Sequence, residues 1–279
     1  MRRIVWFLFA ALLTLPGTAA VGPAPRAYPT PLPEPVMLSA EEEALPTAEE
    51  MEKLARTDVI AFLRACIRRY DKEVHGYTAT LEKQEFLNGK LNPAEVVEVA
   101  FREEPFSVLM KWKTPPAGRA DRALYVEGAN DGKTLARPAG RAARFLVGVV
   151  ARESDGPDAR SAGRYPLPEF GLKKGTERTL AAWADAQKHG KLKAEYLGKQ
   201  VIAEVGKKQC YVLRRTCDPP AEEGIVTVEV AFDTERWLQV ANVLTADRGR
   251  KVGSYYFRDI VLNPDFPPDQ FDRSALTKD

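Results

Sequence analysis

Histidine and cysteine are scarce in this chain of 279 residues, which holds two of the first, His75 and His189, and three of the second, Cys66, Cys210 and Cys217. Two isolated histidines form no zinc cluster, and neither a His-Glu-x-x-His nor a Cys-x-x-Cys spacing occurs. Three thiols are too few for a disulfide scaffold, and at least one stays unpaired within a monomer. Cys210 and Cys217 lie on one expected strand, roughly 23 Å apart at its rise per residue, so a direct bridge requires a sharp fold-back. A Cys66–Cys210 bridge and three buried free thiols both remain open. Net charge is lacking too, with 41 Lys and Arg against 39 Asp and Glu. A near-neutral chain has no field with which to displace counterions from phosphates, so nucleic acid is excluded as a partner. No Gly-x-Ser-x-Gly elbow and no glycine-rich phosphate loop is present. A paired-carboxylate hydrolase is the one enzyme class left open, because acids are plentiful and their spacing in three dimensions is invisible. The expectation is a protein that is not an enzyme and carries no metal or cofactor.

Only one long apolar run exists, Ile4–Leu15, and its twelve residues fall short of the roughly 18 to 20 that span a bilayer. Arg2 and Arg3 precede it, and Pro16, Gly17, Thr18, Ala19 and Ala20 follow. That order is the pattern of a cleavable export signal over residues 1–20, cut after Ala20. Without Arg2 and Arg3 the mature chain carries 39 charges of each sign. No cysteine follows the cut, which argues against a lipid anchor, and the expected location is periplasmic or secreted. Pro23, Pro25, Pro29, Pro31, Pro33, Pro35 and Pro46 make residues 21–46 a disordered tether. Residues 47–275 then read as a single domain.

Thr47 and Glu50 form a capping box, and Met51, Leu54, Val59, Phe62, Leu63, Cys66, Ile67 and Tyr70 follow at helical spacing. From Tyr77 the period changes to two. Strands are predicted over Tyr77–Phe86, through Val97, Val99 and Phe101, over Phe106–Trp112, Ala123–Glu127 and Lys133–Ala136, with tight turns at Asn88-Gly89 and Asn130-Asp131-Gly132. Arg137–Pro168 breaks the rhythm with four glycines and six arginines and reads as an excursion over the sheet. Its apolar island Phe145–Val150, beside Arg141, Arg144 and Arg152, reads either as a membrane- or cargo-touching loop or, preferably, as a segment packed on the sheet. A helix is predicted from Pro168 to about His189, with Gly190 as its stop and Gly175 as a point where it could divide. Six further strands follow, over Leu192–Leu197, Gln200–Val205, Gln209–Thr216, Ile225–Asp233, Trp237–Leu244 and Gly253–Leu262. Phe271 is a last apolar anchor.

Short turns between successive strands predict an antiparallel meander of nine to eleven strands with one face buried and one wet. A twisted sheet of that size curls rather than staying flat. The fold class expected is therefore α+β, a half-open β-barrel with helices over its concave face. An apolar space between sheet and helices would be lined by Val97, Val99, Phe101, Phe106, Val108, Met110, Trp112, Trp183, Val228, Val230, Phe232 and Trp237. The same residues at period two also suit an ordinary filled core, and for any one of them that is the preferred assignment. Arg164 and Arg258 read as structural ion pairs or, less readily, as contacts for a headgroup or carboxylate.

Several segments resemble a bacterial secreted family known as domain of unknown function 1571. They are Tyr77–Glu85 with Gly89-Lys90, Phe101–Val108, Met110-Lys111-Trp112, Tyr125–Gly128, Arg164-Tyr165-Pro166 and Tyr255–Asn263. The resemblance runs from about residue 55 to 273. That family is similar in fold to the periplasmic carriers that move lipoproteins between bacterial membranes, which implies an acyl chain or other lipid between sheet and lid. No catalytic residue is implied. The function expected is a carrier or sensor of lipid or lipoprotein cargo with transient membrane contact; the alternative is an envelope protein–protein interaction module with a filled core.

Overall fold

A computed structural model describes residues 45–114 and 120–278. The expected signal peptide and nearly all of the proline-rich tether lie outside the described residues. The capping box forms as expected: the Thr47 N–H donates to Glu50 Oε2 at 2.7 Å and the Glu50 N–H to Thr47 Oγ1 at 3.2 Å. The helix it starts is not continuous. Helix α1 (Ala48–Thr57) ends at Asp58, whose N–H donates to the Leu54 carbonyl, and the Asp58 carboxylate caps α2 (Val59–Glu73) by accepting from the Ala61 N–H at 2.9 Å. Aspartate is a strong N-cap, so a single residue ends one helix and starts the next without interrupting the apolar period.

Among the described residues twelve strands follow. The first seven are β1 (Gly76–Leu87), β2 (Lys90–Leu91), β3 (Glu95–Arg102), β4 (Ser107–Trp112), β5 (Ala120–Val126), β6 (Thr134–Pro138) and β7 (Val150–Arg152). The last five are β8 (Lys193–Ile202), β9 (Lys208–Ala221), β10 (Ile225–Asp233), β11 (Gln239–Ala246) and β12 (Lys251–Leu262). Asn88 and Gly89 both take positive φ, 52° and 80°, as a two-residue hairpin turn demands. Two expected strands, Leu192–Leu197 and Gln200–Val205, are one strand, β8, interrupted by a register shift between Tyr196 and Lys199 at Gly198. The shift explains why the alternation looks broken there.

All neighbouring strands are antiparallel, in the order β7-β6-β5-β4-β3-β1-β12-β11-β10-β9-β8, with β2 paired only to β1. The sheet curls but does not close, and helices cover its concave face. Its centre is the pairing of the first long strand with the last, β1 with β12, while both edges, β7 and β8, lie mid-chain. The chain must therefore cross from one edge to the other between Glu153 and Leu192. Helix α5 (Leu172–Lys188) makes that crossing and packs on α2. It runs unbroken through Gly175 and ends at His189 and Gly190, the latter with φ 66°. The excursion before it contains α3 (Arg141–Val147), β7 and α4 (Pro157–Ala162).

Packing divides the sheet into two halves. Over β9 and β10, helices α1, α2 and α5 seal a filled core in which Phe62 meets Tyr211 and Phe232 edge-on at 5.6 and 5.2 Å. Over β3–β6 the face expected to be wet is buried: Ala100, Leu109, Leu124 and Leu135 pack under Phe271, Ala275 and Leu276 of the C-terminal tail. The excursion differs from the packed segment expected. Phe145, Leu146 and Val147 on α3 are 91%, 77% and 57% exposed.

These environments predict opposite outcomes for two phenylalanines. Phe62→Ala empties a fully buried site and should lower the unfolding free energy by about 3–5 kcal/mol in urea titration. Phe145→Ala should change it by less than about 0.5 kcal/mol.

Candidate functional site

The space on the concave side is not filled throughout. Beyond the helical core lies a cavity of about 1010 Å³ bounded by β1, β3–β7, β11, β12, the α3–α4 excursion and the first turns of α5. Small side chains make the room. One cross-strand row runs Met110, Ala123, Ala136, Val150 over β4 to β7, and all four line the cavity, two of them alanines. The lining positions include Gly171, the N-cap of α5, and Gly175 within it, where a Cβ would meet nothing within 4 Å. The start of α5 is pinned nearby: the Leu172 N–H donates to the Tyr77 hydroxyl at 3.2 Å, and Tyr77 stacks on Phe101 at 4.8 Å.

The next rows are sorted by polarity. Trp112, Val97, Leu81 and Phe257 pair in order across β4, β3, β1 and β12, and Trp112, Leu81 and Phe257 reach the cavity. Glu95, Lys83, Tyr255 and Asn242 pair across β3, β1, β12 and β11, and all of these line it as well. One wall is thus greasy and the other end polar. Lys83 Nζ lies 2.8 Å from Glu85 Oε2 and 3.0 Å from Glu95 Oε2, with only 11%, 5% and 5% of the three side chains exposed. Glu85 Oε1 also accepts from the Tyr255 hydroxyl at 2.7 Å and the Arg164 N–H at 3.2 Å. Burial by itself would press Lys83 toward its neutral form, but the Glu85 and Glu95 carboxylates outweigh it and hold its pKa above the ordinary value. Burial would likewise raise Glu85, yet the Lys83 charge and the hydrogen bonds from Lys83, Tyr255 and Arg164 hold it below.

Of the twelve residues expected to line an apolar space, Met110 and Trp112 do so. Val97, Val99, Phe101 and Val108 are buried in the packed core beside the cavity, with Phe106 edge-on to Phe101 at 5.2 Å. Trp183, Val230, Phe232 and Trp237 belong to the core under α1 and α2, and Val228 packs against it. These ten fill space because they are large, whereas a hollow forms where inward positions are small. Arg164 and Arg258 are engaged in ion pairs, with Glu223 and with Glu82 (3.0 Å for the latter). All three cysteines are free and buried, and burial pushes the Cys66 thiol well up and that of Cys210 to about 12. Sequence reasoning missed the polar cluster. The available signal was convergence: Lys83, Glu85, Arg164 and Tyr255 all come from segments that carry the family resemblance. Among the described residues, no group of three or more His, Cys, Asp and Glu side chains is arranged to hold a metal ion. No helix among them is long and apolar enough to cross a membrane.

The family profile described as "Protein of unknown function (DUF1571)" matches residues 74–275, and the chain belongs to that family. No curated protein matches the sequence. Solved structures similar in fold include the Pseudomonas aeruginosa MucA/MucB complex, at 14% identity and TM-score 0.45, over 79% of this chain and 62% of the matched one. A domain assigned to outer-membrane lipoprotein sorting from Vibrio parahaemolyticus matches at 11% identity and TM-score 0.37, over 83% and 100% of the two chains. A LolA-superfamily protein from Nitrosomonas europaea matches at 10% and 0.35, over 76% and 98%. This chain therefore spans less than two thirds of the first of these and nearly the whole of the other two.

The buried cluster generates a pH prediction. A carboxyl held below its unfolded value, near 4.5, adds stability that is present above that value and lost as pH falls through the lower folded value. Glu85→Gln should therefore flatten the decline in stability below about pH 5, followed by urea unfolding. It should also cost about 3 kcal/mol at pH 7, because the Lys83 charge keeps only one buried partner. An unchanged acid limb in the variant would contradict an ionised Glu85.

Proposed function

We propose that this DUF1571 protein is an exported, non-catalytic carrier or sensor that shelters an acyl chain or the acyl part of a lipoprotein in the cavity between sheet and helices. The observation that carries the proposal is the hollow itself. At about 1010 Å³ it matches the upper end of small-molecule sites, which run from about 300 to 1,000 Å³. Its apolar lining includes Trp112, Leu81 and Phe257 from the sheet and Phe170 and Leu172 at the start of the lid. At about 0.8 kcal/mol per buried methylene, a chain of roughly 15 methylenes contributes on the order of 12 kcal/mol before entropic costs. An interaction module with a filled core is the weaker alternative, since its premise is a packed interior.

Helix α3 supports a route for the cargo. Ala143 and Val147 of the helix and its N-cap Gly140 line the cavity, while Phe145 and Leu146 stand exposed on the same short helix. An apolar step of that kind at a cavity rim suits the surface of an anionic bilayer, into which Phe145 and Leu146 would dip. Arg141 lies beside them without a partner among the described residues, and its charge complements anionic headgroups.

Two experiments test the proposal. Native mass spectrometry of the protein purified from the cell envelope, with organic extraction, should find a stoichiometric lipid displaceable by a fluorescent fatty acid, on a chain beginning at Val21. A clean apoprotein that takes up no fatty acid would point to protein partners instead. In co-sedimentation with vesicles containing phosphatidylglycerol, Phe145→Asp combined with Leu146→Asp should abolish association while leaving fatty-acid uptake unchanged. Equal sedimentation of wild type and variant would remove α3 from the route.

A further inference from the structure

The charged groups on the cavity wall are mostly spoken for. Lys83 is shared by Glu85 and Glu95, Arg152 pairs with Asp158 at 3.0 Å, and Glu153 pairs with Lys133 at 3.4 Å. Arg178 differs from all of these. It projects from α5 one turn beyond Gly175, lines the cavity, and is half-buried. Its guanidinium stacks on the Tyr165 ring at 4.1 Å and Nη1 donates to the Glu169 carbonyl at 2.6 Å. Among the described residues no carboxylate pairs with it.

Those two contacts hold the guanidinium in place without neutralising it. A ring face and a backbone oxygen together use one of five N–H donors and supply no formal negative charge. A half-buried cation needs an anionic partner or water, and a planar fork suits an oxyanion with two oxygens in one plane. The space beside it is open as well, because the residue one turn earlier on the cavity face is Gly175, where a Cβ would touch nothing. A purely aliphatic cargo would leave the Arg178 guanidinium without a counter-charge.

We infer that the cavity is built for an amphiphile with an anionic head, a carboxylate or a phosphate, seated on Arg178, with its chain running along Leu81, Trp112 and Phe257. The inference rests on the carrier reading and narrows its cargo. Arg178 is then a ligand-binding residue, and Tyr165 and the Glu169 carbonyl position it.

Competition binding on the full mature protein tests this with three probes of one chain length: palmitate, 1-palmitoyl lysophosphatidate and neutral monopalmitoylglycerol. The readout is the ratio of anion affinity to neutral affinity. Wild type should favour at least one anion over the neutral ester by roughly tenfold or more, the range of a charge-assisted hydrogen bond. The favoured anion distinguishes a free carboxylate from a phosphate head. Arg178→Gln should collapse the ratio toward one. Arg178→Lys, which keeps charge but loses the fork, should retain part of it, and its binding shows that changing the side chain leaves the fold intact. Equal affinities in wild type, or a ratio that survives Arg178→Gln, would overturn the inference and leave the carrier reading standing. Failure of wild type to bind any of the three would overturn both.

Discussion

The pairing of β1 with β12 is the constraint on which the rest of the molecule depends. It joins the first long strand to the last along Tyr77–Glu85 and Gly253–Leu262. The N-terminal meander then grows outward on one side of this seam and the C-terminal meander on the other, so both free edges fall in the middle of the chain. A connection between opposite edges of a curled sheet has to pass over one of its faces. That necessity turns the segment between β7 and β8 into a lid, and α5 follows from the strand order as much as from its own helical sequence.

Where the lid meets other helices, the interior is packed; where it meets only the sheet, the interior is hollow. Phe62, Tyr211, Phe232 and Trp183 interlock under α1 and α2. Toward β5, β6 and β7 the inward positions are Ala123, Ala136 and Val150, and the lid presents Gly171 and Gly175. Opposed small residues leave a gap that neither layer can close without distorting the seam. The cavity is thus a mismatch between two layers, held open because the sheet is braced from behind by Phe271 and Leu276 of the tail.

Polarity is distributed within this gap in a way that suits an amphiphile better than a hydrocarbon. Buried charges at Lys83, Glu85 and Glu95 satisfy one another and Tyr255, which allows an ionised cluster to persist beside an apolar row. Arg178, stacked on Tyr165, lies on the lid across from that sheet. The exposed turn at Phe145 and Leu146 adjoins the same space. The proposed carrier therefore has a greasy wall, a polar end and an apolar rim on adjacent elements, and α5 contributes to the first two.

Much of the fold was legible along the chain because strands and helices announce themselves by local period. Val226, Val228, Val230 and Phe232, the turn at Asn88-Gly89 and the capping box at Thr47 and Glu50 each carry their own instruction. The split at Asp58 and the bulge at Gly198 were harder, since one residue ends an element without altering the apolar count. The cavity was the least legible part. Large apolar residues such as Val97, Phe101 and Trp237 mark what is buried, not what is hollow. The lining alanines and glycines carry no signal until they face one another across the sheet. The sequence by itself determined the antiparallel strands, the covering helices and the family. Only the tertiary structure decided that the edges lie mid-chain, that Lys83 meets two carboxylates, and that Arg178 faces open space. Those are outcomes of register and crossing between residues far apart in the chain, which local periodicity does not encode.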